Sequence, residues 1–184
     1  MNDNETDLLL MQQIAHGDNH AVRLLVTRWQ KPLINFFYRS VNNVHTAEDL
    51  TQETFIKLCR SAEKYVPAAA FSSYLFQIAH NILVSNFRSE NSRAEIIMAP
   101  QDLPEVADES VESTTATNEI QEALALAVKT LPDNQRTAIL LLSQQHFSYE
   151  EIAKTMELTV PNVKTLIHRA RLVLREKLQP FFKL

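Results

Sequence analysis

A single glycine, Gly17, among 184 residues is the most informative shortage in this chain. Sheet proteins draw on glycine for hairpin turns and bulges, so its scarcity argues for helices and predicts an all-α fold. One cysteine, Cys59, rules out an intramolecular disulfide. Residues 1–10 lack the basic start and small-residue cleavage site of a secretory signal, so the expected setting is reducing and cytoplasmic. Long apolar runs are missing too: stretches such as Ile139 to Leu142 fall far short of the roughly 20 residues that span a bilayer, which predicts no direct membrane insertion. With 45% apolar and 22% charged residues, what remains is an ordinary globular balance.

The longest stretch without Lys or Arg is also strongly acidic. Between Ala94 and Val128 lie eight acidic residues (Glu95, Asp102, Glu105, Asp108, Glu109, Glu112, Glu119, Glu122) and no Lys or Arg. The net charge of -4 therefore conceals an uneven distribution: outside this stretch 18 basic residues face 14 acidic ones, which is 22 less those eight. From Lys129 to Leu184 there are nine basic and five acidic residues. That end has the electrostatics that a phosphate backbone attracts.

The same stretch divides the chain. Residues 94–117 combine Pro100 and Pro104 with many Ser, Thr and Glu and no sustained apolar period, the composition of an acidic linker. Two small helical domains are expected on either side, at 1–93 and 118–184. In the first, a short helix carrying Leu10, Met11 and Ile14 stops at Gly17, and Asp18 caps the next. Val22, Leu25, Val26, Trp29, Leu33, Phe36 and Phe37 recur at helical spacing, with Pro32 expected to kink or break that helix. Thr46 and Asp49 read as a capping box opening a helix to about Lys64, with Cys59 on its apolar side as a packed thiol and not a nucleophile. Its other face is Glu48, Asp49, Gln52 and Glu53. After an apolar loop from Val66 to Ala70, Ser72 is placed to cap a further helix with Leu75, Ile78, Ala79, Ile82 and Phe87 on one side, ending near Arg88. In the second domain Ile120, Leu124, Val128 and Leu131 mark a helix, and Pro132 suits the first residue of the next.

The densest local signal runs from Ser148 to Arg175. Ser148-Tyr149-Glu150-Glu151 is a capping box for a short helix through Met156. Thr159 caps the following helix, Pro161 is tolerated in its first turn, and Val163, Ile167, Ala170 and Leu174 face inward. Outward then lie Asn162, Lys164, Thr165, His168, Arg169, Arg171 and Arg175. Two short helices at a sharp angle, the second bearing amide, hydroxyl and basic groups, form the helix-turn-helix design, whose second helix enters the major groove. An Asn there pairs an adenine edge and an Arg or Lys a guanine edge, while Arg171 and Arg175 suit phosphates. The plain alternative is a solvated basic face on a core helix.

Leu131-Pro132 with Arg136, Tyr149-Glu150-Glu151-Ile152-Ala153, Val163-Lys164 and His168-Arg169-Ala170-Arg171 together resemble region 4 of bacterial sigma factors. Ala47-Glu48-Asp49-Leu50-Thr51-Gln52-Glu53-Thr54-Phe55 resembles the polymerase-binding helix of region 2, and Phe71, Leu75 and Ile78-Ala79-His80-Asn81 resemble its helix for the minus-ten element. With regions 2 and 4 alone, in that order, the chain is similar to the extracytoplasmic-function group. The resemblance implies a non-enzymatic subunit, without cofactor, that directs promoter-specific initiation in a stress or envelope response. Its implied partners are core RNA polymerase, promoter DNA and an anti-sigma factor. Asp49, Gln52 and Glu53 would dock on the clamp helices of the largest polymerase subunit. Lys64, Tyr65, Phe71, Tyr74, His80, Asn81 and Arg88 would meet the minus-ten element, with the loop Tyr65 to Ser72 holding a base flipped from the non-template strand. Asn162, Lys164, Thr165, His168, Arg169, Arg171 and Arg175 would read the minus-thirty-five element while region 4 docks on the polymerase flap. The acidic linker either follows the polymerase's basic RNA-exit path or is simply a disordered tether.

The chain departs from the family pattern in places. Tyr74 stands where tryptophan is frequent, and Gln77 and His80 replace basic residues, so fewer phosphate contacts are expected there. The loop Val66-Pro67-Ala68-Ala69-Ala70 replaces glycine and polar residues, and Glu157 occupies a frequent turn-glycine position. Two other classes stay open on this reading: a sigma-like decoy that sequesters an anti-sigma factor, and a helix-turn-helix regulator that leaves the Asp49 to Glu53 face idle. No metal site is expected, because Gly17 and Asp18 break the helix that would align His16 with His20, and His45, His80 and His146 lack companion ligands.

Overall fold

A computed structural model describes residues 3–67, 69–96 and 115–182; the expected linker, for residues 97–114, lies outside the described residues. Among the described residues there are eight α-helices and no strand. The first four are α1 (Asp3–Ala15), α2 (Asn19–Val41), α3 (Val44–Ser61) and α4 (Phe71–Ile96), with a single 3-10 turn (Ala62–Lys64) after α3. The second four are α5 (Thr115–Lys129), α6 (Asp133–Gln144), α7 (Tyr149–Thr155) and α8 (Val160–Leu178), followed by a 3-10 turn (Gln179–Phe182).

Local chemistry sets most of the helix ends. Gly17 takes φ +85 and closes α1, and the Asp18 carboxylate accepts from the His20 and Ala21 amides at 2.7 and 3.3 Å to open α2. Pro32 does not break α2, which continues to Val41. The proline costs about 3 kcal/mol, but Ala21 and Leu25 before it and Leu33, Phe36 and Phe37 after it are all buried on one face. Each large apolar side chain there contributes about 1.5–3 kcal/mol, so continuing the helix outweighs the local penalty.

Three expected helix starts move. Helix α3 begins at Val44, not Thr46, because Asn42 takes the left-handed conformation at the end of α2 and the Asn43 side chain caps α3 by accepting from the Thr46 amide at 2.9 Å. Ser72 does not cap α4. It lies inside a helix that starts at Phe71 and runs past Arg88 to Ile96, and the first amide of that helix donates to the Asn4 side chain, 67 positions earlier, at 2.7 Å. Pro132 sits just before α6 and not within it.

Helix α3 packs against α2 and α4, with α1 laid across α2, α4 and the 3-10 turn; α5, α6 and α7 gather around α8. The two groups meet where α7 covers α4 and where α5 and α6 rest on α2. Phe76 of α4 meets Phe147, just ahead of α7, edge to face at 5.6 Å. Arg136 joins the groups at the other contact. Its guanidinium donates to the carbonyl of Ser40 near the end of α2 at 2.7 Å, and to those of Lys129 and Leu131 at 3.0 and 2.8 Å. It also lies 5.7 Å above the Phe87 ring. Replacing Arg136→Ala strips three carbonyls of their donor and should lower unfolding free energy by roughly 2–3 kcal/mol, whereas Arg136→Lys, a point charge without the fork, should recover less than half of that. Urea unfolding of the two variants measures both.

Candidate nucleic-acid and polymerase interfaces

Helices α7 and α8 build the helix-turn-helix as the sequence implies, except that Thr159, at the N-cap position of α8, makes no side-chain capping hydrogen bond. Both halves of the capping box form: the Glu151 amide donates to the Ser148 hydroxyl at 3.2 Å and the Ser148 amide donates to the Glu151 carboxylate at 2.8 Å. The turn passes through Glu157 at φ 55, a left-handed position that glycine occupies without strain. Val163, Ile167 and Ala170 are fully buried on one side of α8, and Leu174 packs partly against the core. All seven expected outward residues, Asn162, Lys164, Thr165, His168, Arg169, Arg171 and Arg175, are exposed. Side chains of this kind on an exposed helix can reach phosphates and the donor and acceptor groups of base edges.

Helix α3 buries Ala47, Leu50, Thr51, Thr54, Phe55 and Leu58. Asp49, Gln52 and Glu53 are exposed on its other side, where Glu53 forms an ion pair with Lys57 at 2.8 Å. Between these groups Ile56 is 50% exposed. An apolar side chain ringed by polar groups on a regular helix is the usual anatomy of a protein-docking face. Burial pushes the Cys59 thiol up, which disfavours its nucleophilic thiolate.

The expected minus-ten residues fall into two sets. Lys64, Asn81 and Arg88 are exposed, and Tyr65 and Tyr74 are half-buried. Those two rings lie 4.6 Å apart, and Tyr74 donates its hydroxyl proton to Ser61 at 2.8 Å. Burial first, then Tyr74 and the Asp7 carboxylate, raise the pKa of the Tyr65 phenol. Phe71 and His80 belong to the second set. Phe71 is a core residue with no exposed surface, held between Trp29 and Tyr65, so it supports the loop from below and offers nothing to a ligand. His80 is 7% exposed. It lies under the α7–α8 turn, where Gln77 donates to the Glu157 carboxylate at 3.1 Å and the Thr155 hydroxyl reaches the Ser73 carbonyl at 3.5 Å.

Residues that the sequence reading passed over act on this same surface. The Asn4 side chain caps α4, and Asp7, although 1% exposed, accepts from Arg28 at 2.9 Å and from the Trp29 indole at 3.1 Å. The shortage of polar side chains in the loop before α4 is the one sequence signal that a cap had to come from elsewhere. Among the described residues no three His, Cys, Asp or Glu side chains gather as metal ligands, and no helix is long and apolar enough to cross a membrane.

Two helical modules, the second presenting an exposed basic helix from a helix-turn-helix, define a DNA-binding protein. Residues 25–93 match Sigma-70 region 2 and residues 121–174 match Sigma-70, region 4. The chain is 31% identical to the ECF RNA polymerase sigma-E factor of Escherichia coli over 100% of both chains. It is 30% identical to the RNA polymerase sigma-H factor of Pseudomonas aeruginosa over 97% of both. It therefore belongs to the sigma-70 family of RNA polymerase sigma factors, in the extracytoplasmic-function group. Among solved structures it is similar to CnrH in complex with the cytosolic domain of CnrY, with a TM-score of 0.68 and 23% identity over 95% of this chain and 98% of that one. It is similar also to the sigma factor RpoE of Bartonella quintana in complex with the anti-sigma factor NepR, with a TM-score of 0.68 and 22% identity over 85% and 96%. Both likenesses concern the fold.

The covered histidine has a measurable signature. Desolvation lowers the His80 pKa below its ordinary 6.5, with Glu157 opposing in part. Above that value the imidazole is neutral in folded and unfolded chains alike. As pH falls through it, the unfolded chain takes up a proton that the folded chain resists, so stability is lost until pH passes the lowered folded value. The urea midpoint should fall between about pH 7.5 and about pH 5.5, and by less in His80→Gln than in the native protein.

Proposed function

We propose that this sigma factor binds core RNA polymerase through the α3 face and recognises promoters through two separate surfaces. Residues 1–93 act as region 2, residues 94–117 as an acidic linker and residues 118–184 as region 4. Asp49, Gln52 and Glu53 dock on the clamp helices of the largest polymerase subunit, with Ile56 as the apolar centre of the contact. Lys64, Tyr65, Tyr74, Asn81 and Arg88 engage the minus-ten element, and the loop from Tyr65 holds a flipped base of the non-template strand. The α8 face from Asn162 to Arg175 reads the minus-thirty-five element while region 4 contacts the polymerase flap. The protein works in the cytoplasm, in a stress or envelope response, and an anti-sigma factor holds it inactive.

The observation that carries this reading is the α8 face, where seven polar or cationic side chains face solvent opposite a fully buried apolar stripe. A helix needs no such set for its own stability, whereas docking on DNA uses every member, for base edges or for phosphates. Region 2 enters with a constraint. In this arrangement α7 covers the Ser73, Phe76 and His80 side of α4, so His80 joins the minus-ten contacts only when α7 and Phe147 withdraw.

Two measurements test the proposal on a promoter recovered by mapping transcript starts after overexpression. Reversing charge with Asp49→Lys and Glu53→Lys should reduce promoter-dependent transcription at least about tenfold through weakened polymerase binding. Duplex binding by region 4 should persist; undiminished transcription overturns the polymerase contact, and a regulator that acts through α8 alone would show that result. Removing Arg171 and Arg175 should make the salt dependence of duplex binding shallower by about 2 in log–log slope, at about 0.9 for each phosphate no longer neutralised.

A further inference from the structure

The loop that leads into α4 has an unusual deficit. Its residues Val66, Pro67, Ala68, Ala69 and Ala70 carry no side-chain hydrogen-bond acceptor. Ala70 stands where a helix cap belongs: its carbonyl accepts from the Ser73 and Tyr74 amides at 3.0 and 3.4 Å, yet alanine has nothing to offer the free amides of the first turn. Asn4 supplies what is missing, accepting from the Phe71 amide at 2.7 Å. One turn along α1, on the same face, the buried Asp7 fixes Arg28 and Trp29 at 2.9 and 3.1 Å. The Trp29 ring lies 5.9 Å from that of Phe71. Phe71 in turn meets Tyr65 at 6.5 Å, at the other end of the loop, where α1 also packs on the 3-10 turn that delivers Tyr65. Among the described residues the buried Tyr65 hydroxyl has no partner.

Both ends of the loop are thus held by α1, one through a hydrogen bond and one through a line of rings. We infer that Asn4 and Asp7 are positioning residues for base selection in the melted promoter. They set the separation and angle between Tyr65 and the start of α4, and so the space a flipped base would enter, without touching DNA. This rests on the base-holding role proposed for the loop. A loop of small apolar residues cannot fix its own geometry by hydrogen bonding, so its selectivity is delegated to the helix beside it.

The test uses holoenzyme reconstituted with core polymerase on a library of the mapped promoter, randomised at the melted positions and at the minus-thirty-five element, with sequencing of the transcribed templates. Native protein should show a base preference in both elements. Asn4→Ala should flatten the preference at the melted positions by about fivefold, the factor that corresponds to one lost hydrogen bond, and leave the minus-thirty-five preference unchanged. Asn4→Asp, which keeps an acceptor at the same reach, should restore it. Adding Ala70→Asp to Asn4→Ala returns a local cap, and should recover thermal stability but not the base preference. An unchanged profile in Asn4→Ala overturns the inference and leaves the base-holding role standing. Recovery of both properties by Ala70→Asp, or equal loss of both preferences in Asn4→Ala, also overturns it, because α1 then contributes only stability. A native profile that is flat at the melted positions overturns the base-holding role itself.

Discussion

The arrangement of the two modules depends on how one guanidinium answers unpaired carbonyls. The last turns of α2 and α5 each end with oxygens that no amide within the helix can reach, and Arg136 collects Ser40 from one and Lys129 from the other, with Leu131 between. A cation at two helix C-termini also complements both dipoles. The planar fork allows this only if α2, α5 and α6 approach at fixed angles. Those angles bring α7 down on α4 and bury Phe76 against Phe147. Arg136 belongs to the motif by which region 4 resembles its family, yet here it works as the bolt between regions.

Scarcity of glycine shapes the rest. Left-handed turns are needed after α2, after α6 and between α7 and α8, and they fall to Asn42, His146 and Glu157. Asparagine tolerates that conformation readily; glutamate does so at some expense in backbone energy. What Glu157 gains is reach, since its carboxylate accepts from Gln77 across the module boundary. The departures from family pattern at 77, 80 and 157 therefore form one contact. Replacing basic residues on α4 with an amide and an imidazole reduces that helix's attraction for phosphates and at the same time gives the turn of region 4 something to rest on.

What the sequence disclosed was local. The Ser148 capping box, the Gly17 stop with its Asp18 cap and the α8 stripe of Val163, Ile167 and Ala170 each depend on residues within one or two turns, and spacing reveals them. The outward set on α8 followed from the same period. Where the reading slipped, tertiary packing had overruled local chemistry. Pro32 sits in an unbroken helix because apolar residues on both sides share one buried face. Thr46 yielded to Asn43 because the preceding helix ended in a left-handed asparagine. Phe71 and His80 looked like ligand contacts by motif, but one underlies a loop and the other lies beneath a second module, and no spacing rule reports what lands on a helix from a distant part of the chain.

The cap on α4 carries a lesson about boundaries. The region 2 match begins at residue 25, and a module cut there would contain every residue of the apolar loop and of the helix behind it. It would leave behind Asn4 and Asp7, the two acceptors that give those elements their shape. In this chain the unit that can be exchanged between sigma factors is therefore larger than the unit that sequence similarity outlines. A graft of the loop alone would carry over a sequence whose conformation is encoded elsewhere, because the apolar loop takes its geometry from a helix at the opposite end of the module.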